Sequence, residues 1–301
     1  MADSPSTAIR LVSIVMPAMN EEKSVARVVA QVREIGMARA MRDAFEILVV
    51  DDGSTDGTAA AARAAGARVI RHPHNLGNGA AVKAGLRHAS GEVIVLMDAD
   101  GQHDPEDIPR LLAKLDEGYD MVVGARGAGD GAFHRNLANR IYNRLAAYVT
   151  GAKIPDLTSG FRAMRRRVVR RFIYLLPNTF SYPTTITLAY FRTGHPVAYV
   201  PITAARRTGR SKIRLIRDGT RFFLIIVRIA TLFSPFKVFF PLSIATFLSG
   251  VGYYLYSYWT LGKFTNFAQL LIFLSIILFA LSLISEQIAQ LRFDRSEDDP
   301  A

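Results

Sequence analysis

The sequence predicts an α/β fold: a mostly parallel sheet covered on both faces, then a basic amphipathic segment, then a helical hairpin fit to cross a membrane. Three observations carry this. Short β-branched runs alternate with helix-like stretches through the first 125 residues, the pattern of repeated β–α units. Two charge-free runs of 22 residues, Val238–Trp259 and 264–285, stand near the C-terminus. The formal charge of +11 is strongly segregated: residues 1–161 carry −2, 162–237 carry +15, 238–285 carry +1 and 286–301 carry −3. The organisation expected is a cytoplasmic α/β domain over 1–205, a basic juxtamembrane segment over 206–234, two membrane helices within 235–290 (about 236–259 and 264–288) and an acidic tail over 291–301.

In chain order, strands are expected at Leu11–Met16, Phe45–Val50, Arg68–Arg71, Val93–Met97 and Met121–Val123. Helices are expected at Glu22–Glu34, Gly57–Ala65, Gly79–His88 and Pro105–Glu117. Ligands of such sheets bind beyond the carboxyl ends of the strands. The polar clusters fall there: Pro17–Glu22, Asp51–Asp56 and Asp98–Gln102 follow the first, second and fourth strands.

Each apolar run near the C-terminus reaches about 33 Å as a helix, enough for a hydrocarbon core of about 30 Å. Only Thr260–Lys263 separates them, so they form a hairpin with both flanks on one side. Tyr253, Tyr254, Tyr256, Tyr258 and Trp259 crowd the end of the first run as an aromatic belt would. The Arg- and Lys-rich flank places the N-terminal domain and the tail in the cytoplasm. Met1–Ile9 shows no signal peptide. Arg214–Thr231 interleaves arginines with Leu, Ile and Phe, as a helix lying in the headgroup layer does. The cluster Arg162, Arg165, Arg166, Arg167, Arg170 and Arg171 either gathers anionic headgroups or forms a solvated helix face.

Composition excludes several classes. The chain has no cysteine, hence no disulfide, thiolate metal site or cysteine nucleophile. The six histidines show no metal spacing, and Gly-x-Ser-x-Gly is absent. The basic residues abut a membrane hairpin and lack an aromatic stacking platform, so nucleic acid is not an expected partner.

Asp98-Ala99-Asp100 is the sharpest chemical signal. Carboxylates two apart at a strand end can both reach one hard cation, whose shell water and phosphate oxygens complete. Asp104-Pro105-Glu106-Asp107 reads instead as a helix cap, with Pro at the first helical position and acids along the dipole. In Asp51–Asp56, Ser54 or Asp56 can cap the next helix, while Asp51 and Asp52 can accept from a base or ribose. Asn75–Gly79 is a Gly-rich turn that either presents N–H groups to phosphate or only turns the chain. His103, beside the Asp pair, is expected to be a solvated loop histidine unless it meets a ligand.

Ordered motifs now join these pieces. Ser13–Glu22, Val50–Asp56 and Asp98–His103 resemble glycosyltransferase family 2. Asp156–Arg162 and Arg206–Lys212 are similar to its polyprenyl-phosphate branch, which holds dolichol-phosphate mannose synthase and the GtrB-type enzymes with a C-terminal membrane hairpin. The resemblance implies a GT-A fold and inverting transfer of one sugar. The donor would be a nucleotide-sugar, a UDP-sugar ahead of a GDP-sugar, and the acceptor undecaprenyl or another polyprenyl phosphate at the bacterial inner membrane. It also implies Mg²⁺ or Mn²⁺, and a tetramer occurs among its relatives; the positive charge of residues 162–237 points to anionic membrane lipids as partners, and so small a hairpin to a homo-oligomer. Carried over by motif, Pro17, Asn20, Glu21, Asp51, Asp52 and Ala99 line the nucleotide pocket; Asp98 and Asp100 hold metal and diphosphate, with Gln102 completing the shell. Arg126, Arg135, Arg206 and Lys212 meet the acceptor phosphate or the departing diphosphate, and Asn139 takes the place of a family Ser touching that phosphate. Asp156 acts as a base or only orients Arg or Ser partners. Two departures stand out: Asn78 replaces a usual Lys or Arg, and Tyr182-Pro183-Thr184-Thr185 lacks the carboxylate of an aromatic-x-x-Glu pattern facing the sugar. Another membrane acceptor, such as a glycolipid, and a non-catalytic lipid-binding scaffold remain as alternatives.

Overall fold

The computed structural model describes residues 10–39, 43–126, 143–144, 146–148, 150–178, 181–203, 233–263 and 265–297. The chain divides into two compact units, Met1–Ser211 and Lys212–Pro300.

The first unit is built on a seven-stranded sheet of order β3-β2-β1-β4-β6-β5-β7. Its strands are β1 (Arg10–Ala18), β2 (Asp43–Asp51), β3 (Arg68–Arg71), β4 (Val93–Leu96), β5 (Met121–Arg126), β6 (Arg162–Arg165) and β7 (Val197–Ile202). Its helices are α1 (Glu22–Ala38), α2 (Thr58–Ala64), α3 (Asn78–His88), α4 (Ile108–Asp116), α5 (Arg166–Arg170) and α6 (Tyr182–Arg192). Every pairing is parallel except those of β6, which runs antiparallel to both β4 and β5. The carboxyl ends of β1, β2, β4 and β5 therefore share one edge with the start of β6. Residues 12–18 of β1 are buried throughout, as expected of a strand covered on both faces. From α1, the stripe Val25, Val28, Val29 and Val32 packs into this core at helical spacing, with Ile35 buried a turn further on, each side chain contributing roughly 1.5–3 kcal/mol of burial. α3 approaches β1 closely: a Cβ on Gly85 would lie 2.2 Å from Val15 Cγ1.

All nine expected elements form. β1 and β2 run further than expected, to Ala18 and Asp51, because their pairing continues into the polar motifs, with Ala18 opposite Asp51. The expected helix over 105–117 is a 3₁₀ turn (Pro105–Asp107) running into α4, and Asp104 Oδ1 accepts from Glu106 N at 3.0 Å, the expected cap.

The basic cluster is corrected. Arg162 lies on β6 and is fully buried, and Arg165 Nε and Nη2 donate to the carbonyls of Tyr119 and Leu115. Neither is a headgroup ligand or a solvated helix residue; α5 begins only after them.

In the second unit, α7 (Pro235–Leu261) and α8 (Asn266–Glu297) pack as an antiparallel hairpin. Two helices, over Pro235–Thr260 and Asn266–Leu291, are long and apolar enough to cross a membrane. Their seam is a heptad of small residues, Ser243, Gly250 and Ser257 against Ala268, Ser275, Ser282 and Ala289, all buried. Small residues let helices approach closely where lipid supplies no hydrophobic drive. A Cβ on Gly250 would stand 3.0 Å from Ile272 Cγ1. Large side chains such as Leu248, Tyr256, Leu270 and Phe273 face outward, and Trp259 is 85% exposed at the end of the first span. α8 continues to Glu297, well past residue 288, since nothing in the polar sequence after Ser285 breaks a helix. Glu286 Oε2 accepts from Phe236 N at 3.3 Å, so an acid from α8 caps α7. The amphipathic segment expected at Arg214–Thr231 lies outside the described residues.

Candidate active site

The site is assembled from the turns that leave the carboxyl edge of the sheet. After β1 the chain reaches Asn20, held at φ +57°, a conformation that Asn tolerates better than most residues. Asn20 Oδ1 accepts from Thr55 N at 2.9 Å, Asn20 N donates to Ser54 Oγ at 2.9 Å, and Glu21 N donates to Thr58 Oγ1 at 2.8 Å. These bonds latch the β1–α1 turn onto the β2–α2 turn. Pro17 is buried on β1, and Glu21 Oε2 accepts from Ser24 Oγ at 2.9 Å at the head of α1.

Asp51 and Asp52 do different things. Asp51 is fully buried; Oδ1 accepts from Ser54 N at 2.8 Å, and Oδ2 lies 3.1 Å from Arg71 Nε, outside hydrogen-bond alignment. Asp52 spends both oxygens on the chain: Oδ1 accepts from His72 Nδ1 at 2.7 Å and Leu76 N at 3.0 Å, Oδ2 from Gly77 N at 2.9 Å. Two amides of the Asn75–Gly79 turn are thereby taken by Asp52. Gly53 makes the junction possible, with φ +73° and the place of a Cβ only 2.4 Å from the His74 carbonyl carbon. Gly53→Ala should destabilise the protein by about 2–4 kcal/mol, from left-handed strain plus overpacking; a thermal melt would show it.

Asp98, Ala99 and Asp100 follow β4. Ala99 is buried, and the Asp98 side chain is 37% exposed. Asp100 Oδ1 accepts from Gln102 N at 3.0 Å, and Oδ2 accepts from Gln102 Nε2. His103 is buried and stacked on Phe161, with ring centroids 5.1 Å apart, and its Nδ1 accepts from Asp98 N at 3.3 Å. It is therefore not a solvated loop histidine. Burial lowers its pKa, with the nearby carboxylates opposing.

Asp156 stands at the end of β5 beside Arg126. Arg126 Nε donates to Asp156 Oδ2 at 2.8 Å, and Nη2 donates to Oδ1 at 3.1 Å. Asp156 Oδ1 also accepts from Thr158 N at 3.0 Å and Ser159 N at 3.1 Å. Burial pushes its pKa up, but the Arg126 guanidinium and these backbone donors outweigh it, and the net shift is downward. A carboxylate so engaged orients Arg126 and the loop; it is a weak proton acceptor.

Sequence reasoning passed over Gly160 as part of the wall. A Cβ there would sit 3.0 Å from Tyr182 Oη and 3.3 Å from Asp98 Oδ2. The Tyr182 phenol therefore reaches the Asp98 carboxylate's neighbourhood from the start of α6, and burial raises its pKa. Its aromatic ring beside the missing-carboxylate pattern was the available signal. Arg135, Asn139, Arg206 and Lys212 lie outside the described residues.

Residues 13–173 match the domain described as glycosyl transferase family 2. The chain belongs to this family. Residues 234–291 match the GtrB C-terminal hairpin. The chain is 33% identical over 252 residues to glycosyltransferase AglJ of Haloferax volcanii, covering 81% of this chain and 80% of that one. It is 37% identical over 189 residues to the undecaprenyl-phosphate 4-deoxy-4-formamido-L-arabinose transferase of Enterobacter sp. (strain 638), a match spanning 58% of this chain and 57% of that protein. The Edwardsiella ictaluri protein of the same name is 29% identical over 301 residues, covering 95% and 91%. Among solved structures, glucosyl-3-phosphoglycerate synthase from Mycobacterium tuberculosis, in complex with Mn²⁺ and UDP-glucose, superposes with a TM-score of 0.58 at 23% identity, covering 73% of this chain and 78% of that one. At that identity the likeness shows the fold. The family read from the motifs, the GT-A-type α/β fold and the C-terminal hairpin are thus borne out.

Proposed function

We propose that the protein transfers one sugar from a nucleoside diphosphate donor to a polyprenyl phosphate, undecaprenyl phosphate in a bacterium, at the cytoplasmic face of the inner membrane. The observation that carries this is the joining, in one family 2 chain, of the Asp98–Asp100 edge with a helical hairpin apolar enough to lie in lipid. Relatives named as undecaprenyl-phosphate transferases support the acceptor class. Both flanks of the hairpin stay cytoplasmic on this reading, because the cationic flank resists translocation.

The residues present fit a divalent cation. Asp98 and Asp100 are hard oxygen donors at one strand end, with Gln102 bonded to the second. Mg²⁺ or Mn²⁺ held by one or two carboxylates completes its shell with water and phosphate oxygens. When bound, the cation offsets the negative charge growing on the leaving diphosphate.

The chain's own residues bind and align. Asp51 Oδ2 lies 3.1 Å from Arg71 Nε and makes no hydrogen bond, so it keeps lone-pair capacity for a base N–H. Asn20 and Glu21 hold the adjoining wall, and Asp52 holds the turn opposite. Arg126, fixed by Asp156, meets the acceptor phosphate or the departing diphosphate. The acceptor oxygen attacks the anomeric carbon as the bond to the diphosphate breaks; the bonding pair leaves with the diphosphate and configuration inverts. A phosphate monoester has its second pKa near 6, so at neutral pH the nucleophile is already deprotonated and the protein need not remove a proton. Catalysis then rests on alignment and charge stabilisation.

The test is transfer by the purified full-length protein in detergent from a panel of radiolabelled UDP- and GDP-sugars to undecaprenyl phosphate. Label should reach the lipid with one donor, stop with chelator and return with Mg²⁺ or Mn²⁺. No transfer from any donor with either metal would sink the reading, and transfer only to a diacylglycerol acceptor would move it to the glycolipid class.

A further inference from the structure

Among the described residues, Arg162 is the largest fully buried side chain. It sits on β6 opposite Leu96 of β4 and Val123 of β5, in the middle of the sheet. Among the described residues no carboxylate forms an ion pair with it. Its Nη1 donates to the Pro183 carbonyl and to Thr187 Oγ1, each at 3.1 Å, its Nη2 donates to the Ser159 carbonyl, and its Nε is buried without a partner. Burial lowers its pKa, opposed by the surrounding phenols and Asp156. Such an arrangement is a poor way to stabilise a core, since desolvating a charge costs more than neutral carbonyls return.

What the guanidinium ties together explains its presence. One arm holds Ser159, whose N–H binds Asp156 and whose neighbour Gly160 abuts Asp98. The other holds the first turn of α6, which carries Tyr182 to the far side of Gly160. The two walls of the site have no regular secondary structure in common, and Arg162 bonds both.

We propose that Arg162 is a positioning residue: its buried guanidinium clamps the Asp156–Gly160 loop to the start of α6, setting Arg126, Asp98 and Tyr182 in mutual register. The inference rests on the sugar-transfer reading for its kinetic consequence, but not for its structural one. Misplacement by about 1 Å is worth about 100-fold in rate. A planar fork spans two carbonyls, which a single ammonium does not.

The experiment compares Arg162→Met and Arg162→Lys with wild type by transfer kinetics, thermal melting and amide hydrogen exchange of the full chain. Arg162→Met keeps the volume and removes the charge. Its melting temperature should stay level or rise, kcat should fall about 100-fold, and donor KM should move less than about threefold. Exchange at Thr158, Ser159 and Thr185 should quicken at least about tenfold while β1 and β4 amides hold. Arg162→Lys should lie between. If Arg162→Met does not fold, Arg162→Lys carries the same three readouts. Exchange unchanged in a folded variant would overturn the clamp whatever the chemistry. A melting temperature that falls while kcat stays at wild-type level would make Arg162 merely structural. Absence of transfer by wild type would overturn the proposed reaction instead, with the exchange result still judging the clamp.

Discussion

Asp100→Asn should lower sugar transfer by about 1,000-fold, about 4 kcal/mol of transition-state stabilisation, without unfolding the protein. The size follows from what the carboxylate is asked to do. A sugar nucleotide leaves as a diphosphate, whose charge Arg126 at the end of β5 opposes only in part. On the proposed reaction, Asp98 and Asp100 are valuable for the cation they would hold. Asn retains the shape and an oxygen to accept from Gln102 N, now 3.0 Å from Oδ1, so the turn survives. The charge does not. Rates measured across a Mn²⁺ titration should show both weaker metal dependence and a lower plateau. Asp104→Asn is the control, because that residue only caps the following turn through Glu106 N; its rate should match wild type. Wild-type rates in Asp100→Asn at limiting metal would remove Asp100 from the site.

The Asp98–Asp100 triplet was legible because its setting is local. An apolar run ends, two acids follow, and a parallel strand puts its carboxyl end at the ligand edge. The same logic found Asp51 and Asp52 but could not separate them. Only the fold shows that Asp52 is spent on Leu76 and Gly77, some twenty-five positions on, while Asp51 has one oxygen without a hydrogen bond, beside Arg71. β6 escaped because Arg162-Ala163-Met164-Arg165 reads as the start of a basic run. Its strand character comes from its neighbours, β4 and β5, across an antiparallel reversal that has no local signature. β7 escaped because Pro201 interrupts it, which is tolerated at the sheet's edge. The hairpin was legible from length and absence of charge alone. Its heptad of small residues is equally plain in the sequence once the register of the two helices is known.

Asp156→Asn should reduce kcat about 100-fold and leave the shape of the pH–rate profile unchanged. The carboxylate's pKa is held below its ordinary value of 3.8, so from pH 5 to 9 it is ionised throughout and supplies no titration of its own. The acid limb of the rate should instead follow the second ionisation of the acceptor phosphate, near pH 6, in wild type and variant alike. A general base would behave otherwise: its removal would erase the limb it caused. The loss in rate has another source. An Asn amide would turn N–H groups toward Arg126, Thr158 or Ser159, all donors, and leave Arg126 unheld. Stability should report the same geometry. Because the folded pKa is depressed, the contribution of Asp156 is complete above about pH 4, the unfolded value, and is lost as pH falls through the lower folded one. Asp156→Asn should therefore be less stable than wild type by about 3 kcal/mol at neutral pH. The two should converge as the pH drops below 4. Melting curves between pH 2 and 7 would show the convergence, and a gap independent of pH would mean that the Asp156–Arg126 pair is not what the charge sustains.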